Sequence, residues 1–201
     1  MELKSFCGTL KDGYSFREIN REMYDQFRRL HEPTIFPNRF DMYVSLAYSQ
    51  AEKDSLETLG RRLGDPYELR LGLFHQEQMV GWSYGVQVSA DTFRMATTGI
   101  LPAHQGKGIY SAYLRELAEH IKEVGFQCLY SRHYATDNGV ILPKLRFGFL
   151  ITGFELSDEY GLLLRLHYFF NETRRKALHA RSGFQQPDDS VKALIRQYDK
   201  D

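Results

Sequence analysis

The chain has 201 residues and a mass of 23.5 kDa, with 42% hydrophobic and 26% charged residues. These proportions exclude wholesale disorder, and a chain of this size buries roughly 70% of its surface on folding, which is enough for one domain. Basic and acidic residues number 26 each, so a net charge of zero argues against a nucleic-acid partner. We expect a single domain over residues 1–201.

The two cysteines, Cys7 and Cys128, are too few and too far apart for a disulfide framework or a cysteine metal site. The histidines show no metal-binding spacing either, so no metal is expected. The chain starts without an apolar leader, and no apolar run approaches the roughly 18 residues of a membrane span. These features favour a protein of the reducing cytoplasm with no membrane partner, and they leave a homodimer open.

Hydrophobic periodicity predicts alternating groups of strands and helices. In chain order these are a strand over 6–14, a helix over 16–30, a proline-broken loop over 31–38, a helix over 41–63, strands over 69–73, 79–88 and 92–101, a helix over 106–125, a strand over 126–133, a helix over 138–146, strands over 149–156 and 162–170, and polar helices over 172–179 and 190–198. An antiparallel meander followed by a strand–helix–strand unit predicts an α/β (α+β) fold.

The most informative segment follows the predicted strand over 92–101. Pro102 ends that strand, Gly106 and Gly108 follow, and an amphipathic helix then begins. Glycines let the backbone approach a bulky anion, and the first N–H groups of a helix have no intrahelical partner. The segment therefore predicts a pyrophosphate site, with a tight strand-to-helix turn that binds nothing as the alternative.

Two well-known phosphate loops fit this segment poorly. The ATP-binding loop places Ser or Thr after its lysine, but Gly108 follows Lys107. The dinucleotide fingerprint needs a third Gly or Ala where this chain has Ser111, and the next strand ends in Arg132 and His133 rather than in an acidic ribose ligand.

A third interpretation of this segment fits better. Residues 105–109, Gln-Gly-Lys-Gly-Ile, resemble motif A of the GNAT superfamily of acyl-CoA-dependent N-acetyltransferases. The loop of that motif has the pattern Gln/Arg-x-x-Gly-x-Gly/Ala. The resemblance covers about residues 69–155, with a motif A core over about 92–134. It includes Asn138 and residues 144–149, which are similar to the family's Asn-then-Lys-x-Gly-Phe region. It implies a mixed, mostly antiparallel sheet with helices on both faces, splayed between its middle strands around the pantetheine arm of acetyl-CoA.

The resemblance also implies which residues hold this co-substrate. The backbone of Ile100 and Leu101 would meet the pantetheine or acyl carbonyl, and Asn138 would bond the pantetheine region. The loop that would cradle the pyrophosphate consists of Gln105, Gly106, Lys107, Gly108, Ile109 and Tyr110.

Two departures from the family's pattern affect this site. Tyr110 stands where Gly or Ala is usual, so the helix start is expected farther from the pyrophosphate. The tyrosine that many members use as an acid for the leaving thiolate is not matched, because Leu, Pro, Lys and Leu occupy residues 142–145. Pro143 is expected to kink or shorten that helix.

Transfer to an amine first requires an alkyl ammonium of pKa about 10.4 to lose its proton, at a cost of about 4.6 kcal/mol at pH 7. His133, at the end of the splayed strand, is the candidate base, and Tyr134 is the candidate acid. Strand alternation puts the two side chains on opposite faces, and a packing role for both is the alternative. His104 is expected to be simply exposed.

The resemblance thus implies an N-acetyltransferase that moves an acetyl group from acetyl-CoA to a primary amine, and direct attack in a ternary complex is expected because neither cysteine is marked as a nucleophile. The acceptor is a small molecule or a peptide, and the family builds its pocket near the first helices, where four aromatic residues cluster: Phe36, Phe40, Tyr43 and Tyr48. Core packing is the alternative for these aromatics. The rival functions are a non-catalytic acyl-CoA-binding sensor or regulatory module and a nucleotide-binding regulatory domain.

Overall fold

One sheet of eight strands runs through the computed structural model, which describes residues 5–37 and 42–198. The strands are β1 (Cys7–Thr9), β2 (Tyr14–Glu18), β3 (Glu68–His75), β4 (Gln78–Gln87), β5 (Thr92–Ile100), β6 (Cys128–Tyr134), β7 (Leu150–Ser157) and β8 (Gly161–Phe169). Their spatial order is β1-β2-β3-β4-β5-β6-β8-β7. β5 and β6 pair in parallel and the other neighbours pair antiparallel, which confirms a mixed, mostly antiparallel sheet.

Helices cover both faces of this sheet, as expected. They are α1 (Arg21–Ile35), α2 (Gln50–Arg61), α3 (Ile109–Val124), α4 (Asn138–Phe147), α5 (Glu172–Arg181) and α6 (Asp189–Tyr198). On α1, the Phe27 ring lies 6.1 Å from the ring of Trp82. On α3, the Tyr113 ring lies 5.7 Å from that of Phe16. The strand register places Trp82 and Phe16 on opposite faces, so α1 and α3 enclose the sheet between them.

The apolar face of α3 forms the centre of the core. Its buried members are Ile109, Tyr113, Leu114, Leu117, Ala118 and Ile121. Each large apolar side chain buried in this way contributes roughly 1.5–3 kcal/mol. Gly125 ends the helix in the left-handed conformation with φ of 113°. A glycine tolerates that conformation without a steric penalty, so the predicted end of the helix is confirmed.

The sheet opens between β5 and β6. The two strands pair only from Thr92 to Arg94, opposite Cys128 to Tyr130. Beyond that point residues 95–100 of β5 and residues 131–134 of β6 no longer pair with each other, and we call the gap between them the wedge. β4 and β8 hold the outer edges of the two diverging strands. The splayed sheet implied by the resemblance is therefore present.

The first twenty residues differ from the prediction. The predicted strand over 6–14 is a hairpin of β1 and β2, joined by a turn with positive φ at Asp12 and Gly13. The helix predicted from residue 16 is wrong at its start, because Phe16 pairs with Leu73 and is 2% exposed. Burial against the sheet outweighs helical periodicity here, and α1 begins only after Asn20, whose side-chain oxygen accepts a bond from Met23 N–H.

The helices of the first half also have different ends. The predicted loop over 31–38 is wrong up to Ile35, because α1 continues through Pro33 at the cost of one backbone bond. The predicted helix over 41–63 divides at Ser49, whose hydroxyl and backbone N–H form a reciprocal capping box with Glu52. A 3₁₀ turn, Val44–Ala47, precedes that cap. Residues 38 and 41 lie outside the described part of the chain.

The second half agrees more closely with the predicted order. α4 covers ten residues, so Pro143 does not shorten it. α5 and α6 form the expected polar helical tail within residues 171–198. Within the described ranges, no helix is both long and apolar enough to cross a bilayer.

Candidate active site

The glycine loop places an open helix start at the mouth of the wedge. A 3₁₀ turn, Pro102–His104, follows β5, and Gly106 and Gly108 then adopt left-handed φ values of 73° and 74°. No side chain caps α3, and Ala112 N–H is the first in α3 to bond back, to the carbonyl of Gly108 at 3.1 Å. The N–H groups of the preceding turn therefore have no intrahelical partner, which is the arrangement that binds anions.

Gln105 connects this loop to the end of β5. Its side-chain amide donates to the carbonyl of Ile100 at 2.8 Å. The N–H of Leu101 donates to the carbonyl of Val80 at 2.9 Å, so this donor is already used by β4. Because successive N–H groups of a strand point to opposite edges, the N–H of Ile100 points into the wedge. Of the two residues expected to meet the pantetheine arm, Ile100 thus offers the donor.

Lys11 is a basic residue of this site that the sequence analysis did not identify. It lies in the turn between β1 and β2, and its Nζ would lie 3.5 Å from a Cβ placed on Gly108. The exposed ammonium therefore stands beside the open start of α3 and adds positive charge where the helix dipole is already positive. Lys107 adds a second exposed cation in the loop itself.

His104 is not simply exposed, contrary to expectation. Its Nδ1 lies 2.8 Å from the hydroxyl of Tyr14, and its ring centroid lies 5.5 Å from that of His75. Partial burial first, and then the charges of Lys107 and His75, lower the pKa of His104. These contacts anchor the glycine loop to β2 and β3.

His133 and Tyr134 lie at the end of β6, in the part of the strand that borders the wedge. His133 Nε2 is 3.1 Å from the Ser131 hydroxyl. Burial, and then the charge of Lys144, lower the pKa of His133 well below its usual range, so the imidazole is neutral at pH 7. A neutral imidazole can accept a proton, although the low pKa makes it a weaker base. Tyr134 is partly buried and points to the opposite face.

Lys144 lies at the floor of the wedge. It is 1% exposed, and its Nζ lies 3.6 Å from the Met95 sulfur and 4.9 Å from the centroid of the Phe149 ring. Met95 is the first residue of β5 beyond the paired segment, so the ammonium sits where the strands begin to diverge. Burial lowers the pKa of Lys144 to about 7, against a small opposing effect of Asp137.

A local signal in the sequence could have identified Lys144. It follows Ile141 by three residues, and both are buried on the same face of α4. A lysine on the apolar face of a helix is unusual because an ammonium is costly to bury. The family's pattern points instead to a tyrosine within residues 142–145.

The remaining expected ligands lie around the same opening. Ile109 is 2% exposed, so only its backbone can meet a ligand. Tyr110 packs partly buried against the core, and burial followed by the charges of Tyr113 and Asp137 raises the pKa of its hydroxyl. Asn138 is exposed at the first turn of α4, and its side chain has no hydrogen-bond partner among residues 5–37 and 42–198.

A cavity lies beside the turn that joins β7 and β8. Its volume is about 560 Å³, and it is lined by Met42 and residues 156–161. The N–H of Met42 donates to the carbonyl of Glu159 at 2.9 Å, which ties the segment before α2 to the β7–β8 turn. Pairing of Ser157 with Gly161 and of Tyr134 with Leu163 puts this turn at the end of the sheet where the wedge opens.

The aromatic cluster near the first helices is only partly core. Phe36 packs on Trp82 with ring centroids 6.2 Å apart. Tyr43 and Tyr48 are 74% and 40% exposed, so core packing is the wrong alternative for them. Phe40 lies outside the described residues.

No metal or thiol centre is present in the part of the chain that the structure describes. No group of three or more His, Cys, Asp or Glu side chains there could hold a metal ion. Cys7 and Cys128 are both free thiols. Burial raises the pKa of Cys128 to about 11, so its thiol is protonated at neutral pH and is a poor nucleophile.

Comparisons with known proteins agree with this geometry. Residues 20–149 match the sequence model of the acetyltransferase (GNAT) family. No curated protein sequence matches the chain. The fold is similar to yncA from Salmonella typhimurium, solved with its cofactor acetyl-CoA, at 13% identity and a TM-score of 0.57 over 80% of this chain and 96% of that one.

Two further solved structures share the fold. The ribosomal L7/L12 alpha-N-protein acetyltransferase RimL in complex with coenzyme A is 15% identical, with a TM-score of 0.58 over 80% of this chain and 96% of that one. A spermidine N-acetyltransferase, SpeG from Vibrio cholerae, is 14% identical, with a TM-score of 0.56 over 79% of this chain and 95% of that one.

Proposed function

The chain belongs to the acetyltransferase (GNAT) family, and on that basis we propose that it moves an acetyl group from acetyl-CoA to a primary amine. One observation supports the proposal most strongly. The uncapped start of α3, which follows Gly106 and Gly108, lies at the open end of the wedge. A pyrophosphate fits the helix start and a pantetheine arm fits an unpaired strand edge, so the two features together match coenzyme A.

The residues around the opening suit the charges of this co-substrate. The free N–H groups of the first turn of α3, with Lys11 and Lys107 beside them, would hold the pyrophosphate. The N–H of Ile100 would bond the pantetheine arm from β5, and the exposed amide of Asn138 would bond it from the other side of the wedge. The bulk of Tyr110 is accommodated by packing against the core.

Acetyl-CoA supplies the thioester carbonyl, and the protein must then position the amine and remove its proton. Direct attack by the amine in a ternary complex is favoured because the Cys128 thiol stays protonated at neutral pH. Neutral His133 is the candidate proton acceptor. Tyr134, on the opposite face of β6, remains the candidate proton donor.

The acceptor is proposed to enter through the cavity lined by Met42 and residues 156–161, at the end of the sheet where the wedge opens. Exposed apolar side chains, with Leu156 84% exposed and Met42 55% exposed, suit the aliphatic part of an amine. We propose a small-molecule or peptide amine as acceptor and residues 1–201 as one acting domain. A reducing compartment such as the cytoplasm suits the two free thiols.

The test is release of free thiol from acetyl-CoA in the presence of a panel of polyamines, amino acids, aminoglycosides and peptide N-termini. The proposal expects acceptor-dependent release with at least one class, together with an acetylated product by mass spectrometry. Tight binding of acetyl-CoA without release in any arm would favour the non-catalytic sensor instead.

A further inference from the structure

Lys144 is a buried cation at the point where β5 and β6 begin to diverge. Lys144 Nζ touches the Met95 sulfur and the Phe149 ring, and no carboxylate in the described ranges comes within ion-pair distance of it. An unpaired buried ammonium costs several kcal/mol, and an aliphatic side chain of the same length would fill the space without that cost. A packing role therefore does not account for the amine at this position.

The surroundings of Lys144 are poor in charge. β5 contributes Met95, β6 contributes His133, the segment after β6 contributes Asp137, and the core below contributes Phe149. Among the described residues, Asp137 is the acidic group whose charge acts on Lys144, and its effect is smaller than that of burial. The amine can therefore gain and lose a proton close to neutral pH, which an exposed lysine does not do.

We propose that Lys144 is the catalytic acid that protonates the sulfur of coenzyme A as the thioester breaks, an inference that rests on the proposed acetyl transfer. The acceptor nitrogen forms the new C–N bond, and the C–S bond breaks with its electron pair remaining on sulfur. One Nζ proton of Lys144 passes to that sulfur, so coenzyme A leaves as a thiol and Lys144 becomes a neutral amine. The proton lost by the acceptor goes to His133 or to water, and Lys144 regains a proton from solvent.

The position of Lys144 supports its role as the acid. The wedge begins directly after Arg94, and Lys144 touches the next residue of β5 and lies near His133 on β6. A thiolate of pKa about 8.5 accepts a proton readily from an ammonium whose pKa is near 7. Lys144, which touches Met95, and His133 lie on the same face of the sheet, so together they give the wedge a donor and an acceptor of protons.

The first test uses binding alone. The ¹³Cε signal of Lys144, assigned by its absence in Lys144→Met, is titrated by NMR in the free protein, with coenzyme A, and with desulfo-coenzyme A. The proposal expects coenzyme A to raise the apparent pKa of Lys144 by about one unit or more relative to desulfo-coenzyme A, because a thiolate then shares its proton. Equal titration with the two ligands would overturn it, whether or not any amine is acetylated.

The second test uses turnover with an amine found active in the panel. Lys144→Met is expected to lower kcat about 100-fold with little change in the KM for acetyl-CoA, and to remove the alkaline limb of the kcat profile. Lys144→Arg keeps the charge but cannot release a proton near neutral pH, so it should be equally slow. Full activity of Lys144→Arg, or an acetyl group found on Lys144 itself, would overturn the proposal. An inactive wild type that passes the NMR test would instead count against acetyl transfer.

Discussion

Replacing Lys144 by Met should make the protein more stable and remove part of its pH dependence. Burial lowers the pKa of Lys144 from 10.5 to about 7, so the unfolded chain binds this proton more tightly than the folded one. Stability then rises with pH across the window from about pH 7 to about pH 10, by at most about 1.4 kcal/mol per pH unit. Over the span from about pH 7 to about pH 8.5 the gain is about 1.5 kcal/mol.

The window is chosen so that other buried groups contribute little. Burial lowers the pKa of His133 well below its usual range and that of His167 to about 4. Both imidazoles therefore change the free energy of unfolding mainly below pH 7. The pKa of Cys128 is raised to about 11, so its effect begins above the ordinary thiol value of about 8.5. Lys144 is therefore the group whose titration dominates between these limits.

Urea unfolding at several pH values measures the effect directly. The wild type should gain about 1.5 kcal/mol across the window, while Lys144→Met should stay nearly flat and exceed the wild type by about 2–4 kcal/mol near pH 7. Lys53→Met, which removes an exposed lysine from α2, is the matched control and should follow the wild type. Parallel curves for wild type and Lys144→Met would refute the assignment of a buried, weakly basic amine.

Four other substitutions probe the loop and the candidate base. Gly106→Val and Gly108→Val should each weaken acetyl-CoA binding about tenfold or more by calorimetry, because a branched Cβ blocks the approach of a phosphate and strains a φ near 74°. Lys11→Met should weaken binding about 2- to 5-fold and reduce its salt dependence, as expected of an exposed charge beside an anion. His133→Ala should lower kcat about 10- to 1,000-fold, and the acidic limb of the wild-type rate profile should lie below the ordinary histidine range because the pKa of His133 is lowered.

Matched variants separate these effects from general damage. Gly183→Val introduces the same strain at a φ of 76° between α5 and α6, and should leave the affinity for acetyl-CoA unchanged. If it weakens binding as much as Gly108→Val does, the loop has no special role. Tyr134→Phe tests the opposite face of β6, and a loss of activity confined to that variant would transfer the catalytic role from His133 to Tyr134.

Local features of this protein could be predicted from the sequence, whereas contacts between distant segments could not. The glycine loop depends on left-handed φ values and on an uncapped helix start. Both features follow from the residue types at positions 105–110. Helical periodicity predicts Phe16 in a helix, because its strand partner, Leu73, is 57 residues away in the chain and leaves no mark on the local pattern. Periodicity carries no information on such pairing.

The same distinction holds within the candidate site. Lys11 reaches Gly108, and Tyr14 reaches His104, only through the hairpin of β1 and β2 that the sequence did not predict. Lys144 is different, because its spacing from Ile141 already placed it on the buried face of α4. The signal was present, but the expected residue type was a tyrosine.

Calorimetric titration of the wild-type protein with acetyl-CoA, ATP and NADH tests the central claim most directly. The open start of α3 and the wedge together are expected to bind acetyl-CoA with a stoichiometry of about one per chain, and to bind ATP and NADH at least about tenfold more weakly, because neither nucleotide carries a pantetheine arm for the unpaired edge of β5. Affinities for ATP or NADH that equal that for acetyl-CoA would contradict the claim that this site is built for coenzyme A.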